Sequence, residues 1–112
     1  MLPARHRMRR STDFARTIRH GRRAGTPLLV AHLLVDVHTD PAPLVGFVVP
    51  KAVGGSVQRK RVLRRLRHLM REHVAGLPDG CLLVVRALPG AAEAGYADLG
   101  RALDSALLRC AR

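Results

Sequence analysis

The stretch from 59 to 71 holds the residues of this chain whose type and spacing could do chemistry. Seven of its thirteen residues are Arg or Lys. Such groups form charge-assisted hydrogen bonds with phosphates, and a face with this much uncompensated charge repels itself unless a polyanion neutralises it. The full chain has the same bias, because 20 Lys and Arg against 8 Asp and Glu leave a net charge of +12. Together these features predict a nucleic-acid-binding protein.

The acidic residues do not predict a catalytic centre. A metal-dependent nuclease brings several carboxylates together around Mg²⁺, which prefers hard oxygen ligands. Here the eight acids stand singly along the chain, with no DxD, DxE or ExK arrangement. The six histidines follow no catalytic motif, and Cys81 and Cys110 lack metal-binding spacing. We therefore predict no catalytic residue and no metal site in the chain itself, which disfavours a self-sufficient nuclease.

A membrane surface is another common polyanion, but the apolar pattern argues against it. The longest apolar run, residues 27–37, is interrupted by His32 and Asp36 and is too short to span a bilayer. The basic N-terminus is not followed by the apolar core of a signal peptide. We expect no membrane partner and a cytoplasmic location.

The basic stretch and its surroundings must be positioned by secondary structure, which hydrophobic spacing and turn residues predict. On the long basic helix, an apolar stripe recurs every three or four residues at Val62, Leu66, Leu69, Met70 and Val74. Arg61 and Arg65 lie off this stripe, so reversing the charge of either should change folding little. The first predicted element is a helix that Ser11 caps and Gly21 ends. Two strands follow, over 28–37 and 44–49, and together they look like a hairpin. After them come the basic helix from a Ser56 cap to about 74, a strand over 81–86 and a last helix over 96–108.

This order predicts an α/β (α+β) fold in one domain, residues 1–112, built as a two-layer sandwich. The predicted sequence of elements is helix, strand, strand, an optional further strand, helix, strand, helix. The passage from Leu44 to Arg86 is a strand, helix, strand crossover. The second and last predicted strands should therefore run parallel.

The segment GFVVPKAVGGSVQRKRVLRRLR resembles the signature of the bacterial ribonuclease P protein component. In that family a strand ending in Lys leads through a Val-Gly turn into a helix that opens with an Arg-x-Arg core. The N-terminal stretch LPARHRMRRSTDFARTIRHGRRAG is similar to the family's basic opening and Asp-Phe helix start. This chain has Lys60 where the family usually has Asn, Gly55 and Ser56 where it commonly has Asn-Ala, and Ile18 where a second aromatic is often found.

The resemblance implies a protein that works with a catalytic RNA subunit and with precursor tRNA, and that needs no DNA partner. The holoenzyme would act as an endoribonuclease that removes the 5′ leader, with Mg²⁺ held mainly by the RNA and the protein inactive alone. The implied contacts to the catalytic RNA are Lys51, Arg59, Lys60, Arg61, Arg64, Arg65 and Arg67. The implied cleft for the single-stranded leader is lined by Phe14, Ile18 and His32.

Three alternatives stay open at this point. A ribosomal or other structural RNA-binding protein would share the charge and the basic helix but would have no cleft for a substrate strand. His32 could stack on a base or sit at the edge of the core with its hydrogen bonds satisfied. Phe14 could stack on a base or be a core residue of its short helix.

Overall fold

The computed structural model describes residues 2–35 and 40–111. They form three α-helices and four strands, with short 3₁₀ turns at Ala4–His6, Lys51–Val53, Val74–Gly76 and Pro89–Ala92. The helices and strands, in chain order, are α1 Ser11–His20, β1 Arg22–Gly25, β2 Leu29–Leu34, β3 Leu44–Val48, α2 Ser56–Met70, β4 Leu82–Ala87 and α3 Tyr96–Cys110. No helix in this part of the chain is both long and apolar enough to cross a bilayer.

The four strands form one mixed sheet in the order β1-β2-β4-β3. Strand β2 pairs antiparallel with both β1 and β4, whereas β3 and β4 are parallel. The predicted α/β class and the parallel crossover are confirmed. The optional further strand was placed after the two predicted strands, whereas the additional strand of the structure, β1, precedes them.

The predicted hairpin between the strands at 28–37 and 44–49 is wrong. Strand β4 lies between β2 and β3 and pairs with each of them. The first four residues of β4 are all buried, as expected for a strand that is covered on both faces. The hairpin that does form joins β1 to β2, and the Thr26 hydroxyl accepts hydrogen bonds from the backbone of Leu28 and Leu29 in its turn. Residues 36–37 of the predicted first strand lie outside the described residues.

The two faces of the sheet have different partners. Alternate residues of β2, β4 and β3, such as Leu33, Val85 and Val45, belong to the main core with α2 and α3. The residues between them point to the other face, where α1 packs across Leu82 and Val84. The sheet and the α2–α3 layer make the predicted sandwich, and α1 covers part of the sheet's second face.

The helix ends differ slightly from prediction. Ser11 and Ser56 are the first helical residues, and Arg10 and Gly55 occupy the cap positions that were assigned to the serines. At α2 the Gln58 Oε1 atom accepts the Gly55 N–H at 2.8 Å, which satisfies one free donor of the helix start. Helix α2 ends at Met70, and Val74 is buried in the 3₁₀ turn that follows.

The chain before α1 is anchored along the free edge of β3. The Met8 N–H donates to the Val45 carbonyl at 2.9 Å, and Arg7 forms a parallel bridge with Val45. His6 Nδ1 donates to the Pro43 carbonyl at 2.9 Å. Leu2, His6 and Met8 are buried. This basic segment therefore has a defined position on the sheet edge, which the sequence patterns did not predict.

Candidate nucleic-acid interface

Helix α2 turns its apolar stripe inward and leaves its cations on the outer faces. Val62, Leu66 and Met70 are buried in the main core. The helical period that places these three inward directs the residues between them toward solvent. Of the predicted RNA contacts, Lys51, Lys60, Arg61 and Arg64 are exposed, and Arg59, Arg65 and Arg67 are half-buried. Lys51 is not on the helix but in the 3₁₀ turn that leads to it.

One side of α2 is held against the segment that precedes α3. Arg65 Nη1 donates to the Ala94 carbonyl at 3.2 Å. The Nδ1 atom of His68 lies 2.5 Å from the Tyr96 hydroxyl. Because its guanidinium donates to a backbone carbonyl, Arg65 contributes to the folded structure, and reversing its charge should change stability more than reversing that of Arg61.

The exposed cations of α2 have no acidic partners nearby. Residues 2–35 and 40–111 contain two ion pairs, His73 Nε2 with Asp104 at 2.7 Å and Arg101 with Asp98. Both pairs involve residues of α3. None of the seven predicted RNA contacts takes part in either of them, so the positive field of α2 is available to an external anion.

A second candidate surface lies between α1 and the face of the sheet that α1 covers. The half-buried Phe14 ring lies directly on Gly46, where a Cβ atom would overlap it. Ile18, one turn further along α1, is 37% exposed. His32 lies in β2 on this same face, in the row that pairs it with Val84. The structure thus brings the three predicted leader-cleft residues to one face of the sheet.

His32 is buried between two arginines. It pairs with Arg23 of β1, and Arg86 stands two residues beyond its partner on β4. His32 is 5% exposed, and neither ring nitrogen has a hydrogen-bond partner among residues 2–35 and 40–111. Burial, and then the charges of Arg23 and Arg86, lower the pKa of His32 below its ordinary value. The ring is covered, so it lacks the open face that base stacking needs. Within the described residues it also lacks the hydrogen bonds of a satisfied core-edge histidine.

Arg23 and Arg86 are candidate site residues that the sequence reasoning missed. Both are exposed, and register places both on the α1 side of the sheet, beside His32 and Val30. A usable signal was present for Arg86, since it interrupts the apolar run CLLVV of a predicted strand. Arg23 gave no such signal, because β1 was not predicted outright. The two cations give this surface the phosphate-binding groups that Phe14 and Ile18 lack.

We expect the free energy of unfolding to fall as the pH is lowered from about 7.5 to about 5, with His32 a main cause. Unfolded His32 takes up a proton near its ordinary pKa of 6.5, whereas the folded protein opposes protonation, so acid favours the unfolded chain. The free energy of unfolding should stop falling only below the lowered pKa of folded His32. Urea titrations across this pH range measure this free energy. The variant H32L should show a flatter profile, while H20Q, which changes an exposed histidine, should keep the wild-type slope.

The two surfaces meet at the edge of β3. A cavity of about 470 Å³, here called the edge cavity, opens there between the N-terminal segment, α1 and α2. Its lining includes Phe14, Gly46 and Phe47 on one side and Leu63 and Arg67 on the other. Arg67 therefore faces the region of Phe14, whereas the exposed cations of α2 point away from the domain.

The acidic and metal-ligating side chains do not converge in the described part of the chain. No group of three or more His, Cys, Asp or Glu residues lies close enough to hold a metal ion there. Cys81 and Cys110 are both buried, and burial raises the pKa of the Cys81 thiol to about 11. Within residues 2–35 and 40–111, the side chains therefore do not bring together the several oxygen ligands that a protein-held Mg²⁺ ion needs.

The fold and its cationic surfaces define an α/β RNA-binding protein, and comparison with known proteins gives the family. A family model described as Ribonuclease P matches residues 2–111. The ribonuclease P protein component of Streptomyces griseus is 58% identical over 97% of this chain and 94% of that protein. The one from Mycobacterium avium is 49% identical over the same shares. The chain belongs to the ribonuclease P protein family.

Solved structures agree on the fold. An RNase P protein from Staphylococcus aureus matches with a TM-score of 0.81, at 20% identity over 91% of this chain and 92% of that one. One from Thermotoga maritima matches with a TM-score of 0.76, at 21% identity over 92% and 96%. Family and fold together assign the chain the role of a ribonuclease P protein subunit, part of a tRNA-processing ribonuclease. They do not favour the alternative of a ribosomal or other structural RNA-binding protein.

Proposed function

We propose that this subunit binds the catalytic RNA through the outer face of α2 and the 5′ leader of precursor tRNA through the cleft between α1 and the sheet. The observation that carries the proposal is that the two surfaces belong to opposite faces of the sheet. Helix α2 packs on one face of the sheet, and Phe14, His32 and Arg86 belong to the other. A protein with two such surfaces can hold a structural RNA and a substrate strand at the same time.

Binding to the leader is expected to be tolerant of sequence. A single strand held by phosphate contacts and a few flat or apolar side chains is not read by its base edges. The chain has three aromatic residues, so phosphate contacts from Arg23 and Arg86 should supply most of the affinity. Phe14 and Ile18 would supply the apolar border of the cleft.

The chemistry is proposed to belong to the RNA partner. The scattered carboxylates of the protein do not fit a catalytic metal site, so Mg²⁺ would be held mainly by the catalytic RNA. The protein alone would then be inactive. Its own contribution would be to neutralise phosphates and to position the leader, in the cytoplasm and without a membrane or DNA partner.

Reconstitution tests this proposal. Mixed with a catalytic RNA of ribonuclease P at low Mg²⁺, the protein should accelerate removal of the leader from precursor tRNA relative to the RNA alone. The protein without RNA should cleave nothing. Affinity should rise with leader length until the cleft is filled, and mature tRNA should bind more weakly.

Two results would contradict the proposal. Metal-dependent cleavage by the protein alone, abolished by replacing a single Asp or Glu, would place the active site in the protein. Equal affinity for precursor and mature tRNA at every leader length would mean that no substrate cleft exists.

A further inference from the structure

The N-terminal segment presents its arginines from a fixed position. Leu2, His6 and Met8 are buried, and Met8 is hydrogen-bonded to the edge of β3. The Arg7 Nε atom donates to the Leu2 carbonyl at 3.1 Å. A basic tail kept only for solubility would need no such anchoring. Because the backbone that carries them is anchored, these arginines lose less backbone entropy when they bind a ligand.

These arginines line a cavity that neither of the two surfaces above includes. It has a volume of about 440 Å³ and lies between the N-terminal segment and α1, and we call it the N-terminal groove. Leu44 and Leu82 belong to its lining. Four arginines and a single acid complete it, namely Arg7, Arg9, Arg10, Arg16 and Asp13. In the described part of the chain, the guanidinium groups of Arg9, Arg10 and Arg16 form no hydrogen bond or ion pair.

The position of Arg10 is unfavourable for the protein alone. Arg10 is the cap residue of α1, its side chain makes no capping hydrogen bond, and Asp13 is the one acid in the first turn of the helix. A cation here faces the positive end of the helix dipole, where an acid or a short polar side chain is normally preferred. An anion in the groove would offset this repulsion.

The N-terminal groove adjoins the edge cavity, because Arg7 and Arg9 line both. Arg67 of α2 also lines the edge cavity. Arginines therefore line two neighbouring cavities that together extend from α2, past the edge of β3, to α1. Guanidinium groups spaced along a narrow path suit the phosphates of one strand.

We propose that the N-terminal groove is a third RNA-binding site, which holds phosphodiester groups of a single strand with Arg9, Arg10 and Arg16. The site rests on the proposed function, because it requires an RNA that already engages α2 or the cleft. The strand comes either from precursor tRNA or from the catalytic RNA, and both sources offer the same phosphate chemistry.

The test compares the double variant R10Q/R16Q with R101Q, which removes a positive charge from α3 on the other side of the sheet. Affinities for precursor tRNA, mature tRNA and catalytic RNA are measured against salt concentration. For the RNA that enters the groove, the salt slope of R10Q/R16Q should fall by about 0.7 for each single-strand phosphate that the variant no longer binds. R101Q should keep the wild-type slope, and R10K/R16K should restore most of the affinity.

A spectroscopic readout keeps this test separate from that of the proposed function. In ¹⁵N–¹H spectra of the wild-type protein, a short oligoribonucleotide should shift the backbone signals of Ser11 and Thr12. If those signals stay fixed while signals of α2 or the cleft move, the groove does not bind RNA. A second result would also overturn the site: R10Q/R16Q and R101Q give the same salt slope with all three RNAs, and the holoenzyme still cleaves normally. The proposed function would then remain intact.

Discussion

Reversing the charge of Arg61 and Arg64 together should abolish assembly with the catalytic RNA while the protein stays folded. Both side chains are exposed on α2, and neither forms an ion pair within the described residues. Like charges placed together at an interface cost several kcal/mol, so R61E/R64E should weaken RNA binding by about a thousandfold or more. Affinity measured against salt concentration, with circular dichroism on the same samples, checks both halves of the expectation.

Two comparisons define what the result means. The variant R5E/R101E changes the net charge by the same amount at exposed positions off α2 and should bind nearly as well as the wild type.

The variant R65A should differ from both, because Arg65 donates a hydrogen bond to the Ala94 carbonyl. It should lower the free energy of unfolding by about 1 to 2 kcal/mol. If R61E/R64E unfolds the protein, or if R5E/R101E binds equally poorly, then α2 is not a specific interface.

Replacing Phe14 with Ala should reduce both stability and leader binding. The ring packs on Gly46 and contacts the second apolar cluster around Leu82 and Val84, but it is only half-buried. We expect the free energy of unfolding to fall by roughly 2 to 3 kcal/mol, below the 3 to 5 typical of a fully buried phenylalanine. Affinity for precursor tRNA should fall by a further 1 to 3 kcal/mol, on the order of one stacked base.

The matched variant is I18A, since Ile18 lies one turn away and is more exposed. I18A should change stability by less than about 1 kcal/mol and still weaken precursor binding. Melting curves and affinities for precursor and mature tRNA, measured on the same preparations, separate the two roles of Phe14. In the contrary outcome, the affinity of F14A falls equally for precursor and mature tRNA, and the fall vanishes after correction for the unfolded fraction. That result would mean that Phe14 is a core residue only.

Much of the fold could be predicted because long periodic segments determine it. The apolar stripe of α2 and that of α3 identified both helices, and the strand, helix, strand order predicted the parallel crossover. Strand β1 has only four residues, RRAG, with two charges and a glycine. Such a segment becomes a strand because β2 offers it a partner, and no local signal reports that.

The pairing of strands was the main error, and its physical cause is specific. Adjacent segments of chain often pair, which favoured a hairpin between β2 and β3. The continuous apolar run from Cys81 to Val85 was the competing signal, because a strand that is buried on both faces belongs in the middle of a sheet.

The candidate site divides in the same way. The sequence alone located the cations of α2, because they are clustered within one short stretch. Arg23 and Arg86 lie beside His32 and Val30 only because β1, β2 and β4 are neighbours in the sheet. The edge cavity and the N-terminal groove depend on where the N-terminal segment docks. The Met8 N–H that bonds this segment to β3 is a backbone group, which no sequence pattern reports.

The central place of β4 also sets an order of events during synthesis. Strands β2 and β3 end at Leu34 and Val48, but the strand that joins them begins only at Leu82. At elongation rates of roughly 5 to 20 residues per second, β3 waits for seconds before its parallel partner exists. The β1–β2 hairpin can form in that interval, while the inner edges of β2 and β3 remain open to other chains. Slower translation of the α2 segment should therefore lengthen the time during which the nascent subunit can aggregate.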